Sequence, residues 1–174
     1  MALDINTPKG QDTLDRERRA IEIWHSHYPH LVYVETPKEK AGRVDGILVQ
    51  DNVCRAVVET KCRVIPTQKF DEMYGEQWLV TYHKLEQGKL ISEALNVPFL
   101  GFLYLAVDDV LLWAKLWDPE YGWVRSFKVQ RTETQATVNG GKVWRDNAYI
   151  DMVKCDRLRL KGCQTTGQSA KNTE

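Results

Sequence analysis

The stretch Arg43-Val-Asp-Gly-Ile-Leu-Val49, followed after a short polar link by Cys54-Arg-Ala-Val-Val-Glu-Thr-Lys-Cys62, decides how this chain folds. Both runs are strand-like, and the link around Gln50-Asp-Asn-Val53 is short, so they pair as an antiparallel hairpin. Side chains alternate along a strand, so Glu59 and Lys61 project from the same face. Whether Asp45 joins them depends on register. An odd loop centred on Asn52 puts Asp45 opposite Glu59, Ile47 opposite Val57 and Val49 opposite Arg55. A two-residue loop puts Asp45 opposite Val58, on the wrong side. The chemistry developed below needs the odd register.

On the N-terminal side, Asp12 to Tyr28 reads as an amphipathic helix with Leu14, Ala20, Ile21, Trp24 and Tyr28 on one face. Asp12 or Thr13 caps it and Pro29 ends it. Glu17 interrupts the apolar stripe. A carboxylate there must be paired, protonated or metal-bound, since an unpartnered buried charge is very costly; a salt bridge to a nearby Arg and a place in an active site both stay open. Leu31-Val-Tyr-Val34 adds a short strand, followed by a polar loop to Gly42.

On the C-terminal side, Lys69 to Asn96 reads as one long helix, apolar on several sides. Phe99 to Val107 is an almost unbroken apolar run, the mark of a central strand covered on both faces. Strand, helix, buried strand is a crossover unit with parallel outer strands. Leu111 to Trp117 forms another strand. Val124 to Val138 and Lys142 to Met152 then form a hairpin turning at Asn139-Gly-Gly141. The expected fold class is α/β, one domain over residues 1–154 with a mixed sheet. Its core runs from about 12 to 117 and its C-terminal β-hairpin from about 124 to 152. Residues 155–174 form a polar tail, disordered over its last ten residues.

The 174 residues, 43% hydrophobic and 28% charged, suit one domain with a true core and exclude wholesale disorder. No apolar run is long enough for a membrane helix, and the first ten residues lack a secretory pattern, so the expected location is cytoplasmic, with no membrane partner. Cys54, Cys62, Cys155 and Cys163 contain no C-x-x-C pair, which speaks for reduced thiols. His25, His27 and His30 lack the i,i+4 spacing of a zinc pair. Charge is uneven: residues 1–123 carry 14 basic against 19 acidic side chains, and residues 124–163 carry nine against four. An acidic body with a basic C-terminal section suits a cation site in one place and an anionic polymer in another; a solvated charge face is the plainer account.

Two carboxylates at one point on a sheet repel unless a cation sits between them. Mg²⁺ (or Mn²⁺) prefers such hard oxygen ligands, and the main-chain oxygen of Thr60 can supply a third. Lys61 beside them can orient or deprotonate a water, or neutralise a phosphoryl oxygen. Acid, acid and amine around a metal are the parts needed for attack of metal-activated water on a phosphodiester. Glu59-Thr-Lys61 is the only acid-x-Lys triplet in the chain. A surface ion pair on a hairpin is the competing account.

At these residues the sequence resembles the PD-(D/E)-x-K nuclease superfamily, over about 95 residues and through short, degenerate motifs. The family core, helix, three antiparallel strands, helix, parallel strand (αβββαβ, restriction-endonuclease-like), matches the order from Asp12 to Val107. Its motif Asp matches Asp45, its Glu and Lys match Glu59 and Lys61, and its first-helix acid matches Glu17; Val58 stands where the family name has proline. Gly42-Arg-Val-Asp45 is similar to the Gly-x-x-Asp of the RecB-like branch. That branch's Gln-x-x-x-Tyr is not kept: Gln77 is followed by Thr81 at the fourth place and Tyr82 at the fifth. The resemblance implies a divalent-metal-dependent deoxyribonuclease. Asp45, Glu59 and the Thr60 oxygen would hold the metal, Glu17 would act directly or through a water, and Lys61 would position or activate the attacking water.

Gln77, Thr81, Lys84 and Gly88 form one polar strip on the expected long helix, so Gln77 and Lys84 are candidates to hold a phosphate or a metal-bound water; a solvent-facing stripe is equally open. Arg63, next on the Glu59–Lys61 face, and Arg125 and Arg131 on the C-terminal strand are candidate DNA contacts. The rival readings are a non-cleaving nucleic-acid-binding module on the same fold and an interaction protein with a bare ion-pair cluster. Whether the protein forms a homo-oligomer is left open.

Overall fold

The computed structural model describes residues 7–37, 42–133 and 142–162. Their elements are α1 (Pro8–His27), β1 (Val32–Glu35), β2 (Gly46–Gln50), β3 (Val53–Arg63), α2 (Thr67–Met73), β4 (Gln77–Thr81), α3 (Tyr82–Leu95), β5 (Phe99–Leu105), β6 (Val110–Asp118), β7 (Gly122–Trp123), β8 (Phe127–Glu133), β9 (Trp144–Asp151) and β10 (Asp156–Leu158). The fold is mixed α/β. A seven-stranded sheet runs β1-β2-β3-β5-β6-β10, with β7 also on β6, and a smaller sheet runs β4-β9-β8. The large sheet is mixed because β3 and β5 are parallel while the other neighbours are antiparallel.

Every residue of β5 is buried, as expected of a strand covered on both faces. One face packs Ala56, Val58, Phe102 and Tyr104 against Ala20, Ile23 and Trp24 of α1. The other packs Val57, Phe99 and Leu103 against Leu85 of α3 and against Trp78, Val80, Ala148 and Ile150 of the small sheet. The small sheet therefore covers the large one rather than standing away from it.

Three expectations need correction. The helix α1 begins earlier, at Pro8, because Thr7 is its cap: the Thr7 hydroxyl accepts from the Gly10 N–H at 3.1 Å. Asp12 instead pairs with Arg16 one turn on. The expected long helix from Lys69 to Asn96 is three elements, α2, β4 and α3. Gly75 and Glu76 adopt positive φ values of +57° and +54°, which end α2 and turn the chain into the β-prone Trp78-Leu-Val80. The C-terminal hairpin forms as the antiparallel pair β8–β9, and β9 also pairs with β4 over residues 147–151; its expected turn at 139–141 falls outside the described residues. Finally, Asp156–Leu158, placed in the tail, is a strand paired with β6. Cys163 and the last ten residues fall outside the described part.

The hairpin register joins both alternatives. Asp51 and Asn52 take positive φ values of +52° and +60° in a two-residue turn closed by Gln50 and Val53. Pairing then slips between Leu48/Val49, leaving Arg55 as an extra residue, and continues as Leu48↔Ala56, Ile47↔Val57 and Gly46↔Val58. The ladder ends there, and the Asp45 N–H donates to the Val58 carbonyl at 3.1 Å. The bulge gives residues 46–48 the partners that an odd loop would have given them.

Candidate active site

Glu59 lies on the face of β3 that carries Val57 and looks toward α3, and its side chain has no exposure to solvent. Asp45, just ahead of β2, is 14% exposed; Lys61 and Lys84 are 28% and 26% exposed. Lys61 Nζ donates to Glu59 Oε1 at 2.7 Å and stands 4.0 Å from Asp45 Oδ2. Lys84 Nζ, from the first turn of α3, donates to Glu59 Oε2 at 3.2 Å and stands 3.6 Å from Asp45 Oδ1. It also donates to the Gly42 carbonyl at 3.1 Å. Two acids and two ammonium groups thus form one compact, charge-balanced cluster.

Thr60 closes the cluster through its backbone. Its N–H donates to Asp45 Oδ2 at 2.8 Å. The parallel ladder to β5 uses the Val57 N–H and the Arg63 carbonyl, so odd-numbered residues of β3 bond toward β5. The main-chain groups of Thr60 point to the other side, where β2 has ended. Its carbonyl therefore faces the Asp45 side of the cluster, as a third oxygen ligand would require.

Burial raises the pKa of Glu59, with Asp45 adding to the rise while Lys61 and Lys84 oppose it. For Lys61, burial pulls the other way, but Glu59, Asp45 and, more remotely, Glu17 outweigh it and hold the pKa above the ordinary lysine value. Lys61 is thus an ammonium in the metal-free chain, suited to donate and to neutralise rather than to take a proton. Tyr33 on β1 packs on the α1 face of the sheet, opposite the face that carries Glu59. Its ring lies over Gly46, where a Cβ would come within 2.4 Å of Cζ, so only glycine fits beside Asp45. Burial first, then the Asp45 charge, raises the Tyr33 hydroxyl well above its normal range.

The donor set fits a hard divalent cation: both carboxylates converge, and the Thr60 carbonyl faces them. Among the described residues no third His, Cys, Asp or Glu side chain completes a metal-binding group. Glu17 belongs to α1, which packs on the opposite face of the sheet, and it lines a cleft of about 500 Å³ with Ile21, His25, Tyr33 and Glu35. Its charge is one of the causes that raise the Lys61 pKa and, after burial, that of Cys62.

The other candidates disperse. Gln77 and Thr81 bound β4 rather than sharing a helix face with Lys84, and Gly88 is buried under the Phe99 ring. Arg63 donates to the carbonyls of Leu79 and Cys62, both at 3.2 Å, and lines a cavity of about 870 Å³ with Gln77. Arg125 donates to the Val153 carbonyl at 2.7 Å. Arg131 is exposed on β8, opposite Asp146. What the sequence did not reveal is the second counter-ion role of Lys84, its anchor on Gly42, and the Tyr33 ring over Gly46. The spacing of Lys84 from Gly88 gave a signal for the first of these, though on a helix drawn too long. No protein-family model matches this chain, and no curated protein is significantly similar to it.

Proposed function

We propose that this protein hydrolyses phosphodiester bonds in DNA with Mg²⁺ or Mn²⁺, on a restriction-endonuclease-like core. The observation that carries the reading is the bracketing of Asp45 and Glu59 by two lysines at the point where β2 and β3 part. Supporting it is the order of α1, β1, β2, β3, α3 and β5, with the parallel β3–β5 pair, which agrees with the core that the resemblance implies. Asp45, Glu59 and the Thr60 carbonyl would hold the ion; once bound, it supplies a Lewis acid that offsets developing charge and activates water.

The rest falls to the chain's own groups. Asp45 is held in orientation by the Thr60 N–H. With a cation held there, Lys61 and Lys84 would no longer be needed to balance the carboxylates. Lys61 would donate to the attacking water or to a phosphoryl oxygen. Lys84, steadied by the Gly42 carbonyl, offers a second positive charge to the phosphate. Glu17 adds, after Glu59 and Asp45, to the charges that raise the Lys61 pKa.

A second reading, a nucleic-acid-binding module without cleavage, is favoured by one observation: the Lys61 and Lys84 side chains pair with both carboxylates. Incubation with linear, circular and branched DNA plus Mg²⁺ separates the two. The wild type should cut at least one form, and Lys61→Ala should lose roughly 10²-fold or more in rate. Identical behaviour of the two proteins overturns the nuclease reading. Mobility shifts without cutting support the binding module.

A further inference from the structure

The cavity of about 870 Å³ beside the cluster is not used by the proposed chemistry, and it has the size of a small-molecule site. It begins where the cluster ends. Glu59, Lys61 and Arg63 alternate along one face of β3, so Arg63 sits roughly 7 Å beyond Lys61 along the strand. The Arg63 guanidinium, held on the Leu79 carbonyl, joins that face to the small sheet. There Leu79 pairs with Tyr149 and Thr81 with Asn147, and all four line the cavity.

Its surface is mixed in a way that suits a flat aromatic ligand with polar edges. Tyr149 and Leu79 supply a platform, and Tyr74, 48% exposed, sits at the rim. Asn147 is buried, and its amide N–H is spent on Thr132 Oγ1 at 2.7 Å, which fixes the amide plane. Stacking plus a fixed amide is how unpaired bases are held; a base inside a duplex stack cannot enter such a recess.

Resting on the nuclease reading, we infer that this cavity receives an unstacked nucleobase next to the phosphate held at Lys61 and Lys84. The substrate is then a single strand or a frayed DNA end rather than the interior of a duplex. Arg63, the next residue on the Glu59–Lys61 face, lines the cavity and places a positive charge at its edge.

The test uses the full chain in EDTA. Fluorescein-labelled oligothymidylate of roughly twelve nucleotides and a duplex of equal length are titrated and followed by anisotropy at one salt concentration. The wild type should bind the single strand at least about tenfold more tightly. Leu79→Asp and Tyr149→Ala, each checked for native circular dichroism, should lose that preference while duplex affinity stays unchanged. Equal affinity of the wild type for the two forms overturns the inference, whatever the variants do. So does a folded variant pair that retains the preference. If DNA is cut with Mg²⁺ but the preference is absent, the inference falls and the nuclease reading stands. If the preference is present but no DNA is cut, the nuclease reading falls and the base cavity stands.

Discussion

Lys84 Nζ lies 3.2 Å from Glu59 Oε2, joining a helix to a strand across 25 residues of chain. Because Glu59 is fully buried, losing this partner strands part of a buried charge, unlike loss of a surface pair. Lys84→Met should lower unfolding free energy by about 1–3 kcal/mol in urea titration. Lys115→Met, which removes a pair whose Lys115 is 44% exposed and whose acid, Asp118, is 12% exposed rather than fully buried, should cost less. Equal losses would remove the special status of the cluster.

Glu59→Gln should separate stability from activity. The folded chain raises the Glu59 pKa through burial, so the ionised form is the one that folding disfavours. For a raised carboxyl, the stabilising contribution is fully present below the ordinary value near 4.5 and is lost as pH rises through the folded value. Wild type minus Glu59→Gln stability should therefore fall across that window. Near neutral pH the variant should be as stable as the wild type or more so, while cleavage disappears. A flat difference between pH 4 and 8 would contradict this account of the buried acid.

Arg19 grips Asp109 with two hydrogen bonds, Nε at 3.0 Å and Nη2 at 2.7 Å, and the Tyr104 hydroxyl donates to the same carboxylate. The Arg19 contact is the main cause of the depressed Asp109 pKa. Its contribution is present above the ordinary aspartate range and is lost as pH falls through the folded value. Asp109 has φ +53°, a conformation that Asn tolerates, so Asp109→Asn removes charge without backbone strain. Both side chains are more than a third exposed, so solvent screening limits the cost to about 1 kcal/mol at pH 7. The cost should vanish in melts at acid pH.

Gly88 sets how closely α3 approaches the sheet, since a Cβ there would come within 2.2 Å of the Phe99 ring. Gly88→Ala should cost about 1–3 kcal/mol by overpacking. It should also weaken activity by shifting Lys84, one turn earlier on the same helix. A variant that melts like the wild type would show that α3 has room to spare.

Mn²⁺ should raise the wild-type melting temperature, by the equivalent of about 2.7 kcal/mol at a hundredfold excess over Kd. Asp45→Asn should abolish the rise. Deleting Arg55 should preserve it, because that residue is the unpaired one and its removal leaves Ile47↔Val57 in place. Loss of the rise on deleting Arg55 would mean that the twist of the bulge, not only the register, shapes the site.

These residues also show what the sequence could reveal. Period-two alternation put Glu59 and Lys61 together, and the need to oppose Asp45 to Glu59 selected the register, because both are local rules of strand geometry. The bulge was not legible: the Asp51-Asn52 turn and the odd register looked exclusive until one extra residue reconciled them. The break at Gly75 was written in the sequence but was masked by apolar residues that suit a buried helix or a covered strand equally well. Periodicity marks Glu17 as an interruption of its helix's apolar face, yet which side of the sheet that helix covers is a tertiary matter that periodicity does not carry.

The edge strand β10 is fastened by Arg157 to Asp71 at 2.7 Å and to Glu76 at 2.9 Å, and Arg159 donates to the Asp108 carbonyl. A chain shortened before Asp156 would bare the backbone of β6, whose Leu111-Leu112 are buried. That margin would become a template for stray β-pairing between molecules. Poor recovery or self-association of trimmed versions would then reflect a lost hem on the sheet, with the acidic centre itself undamaged.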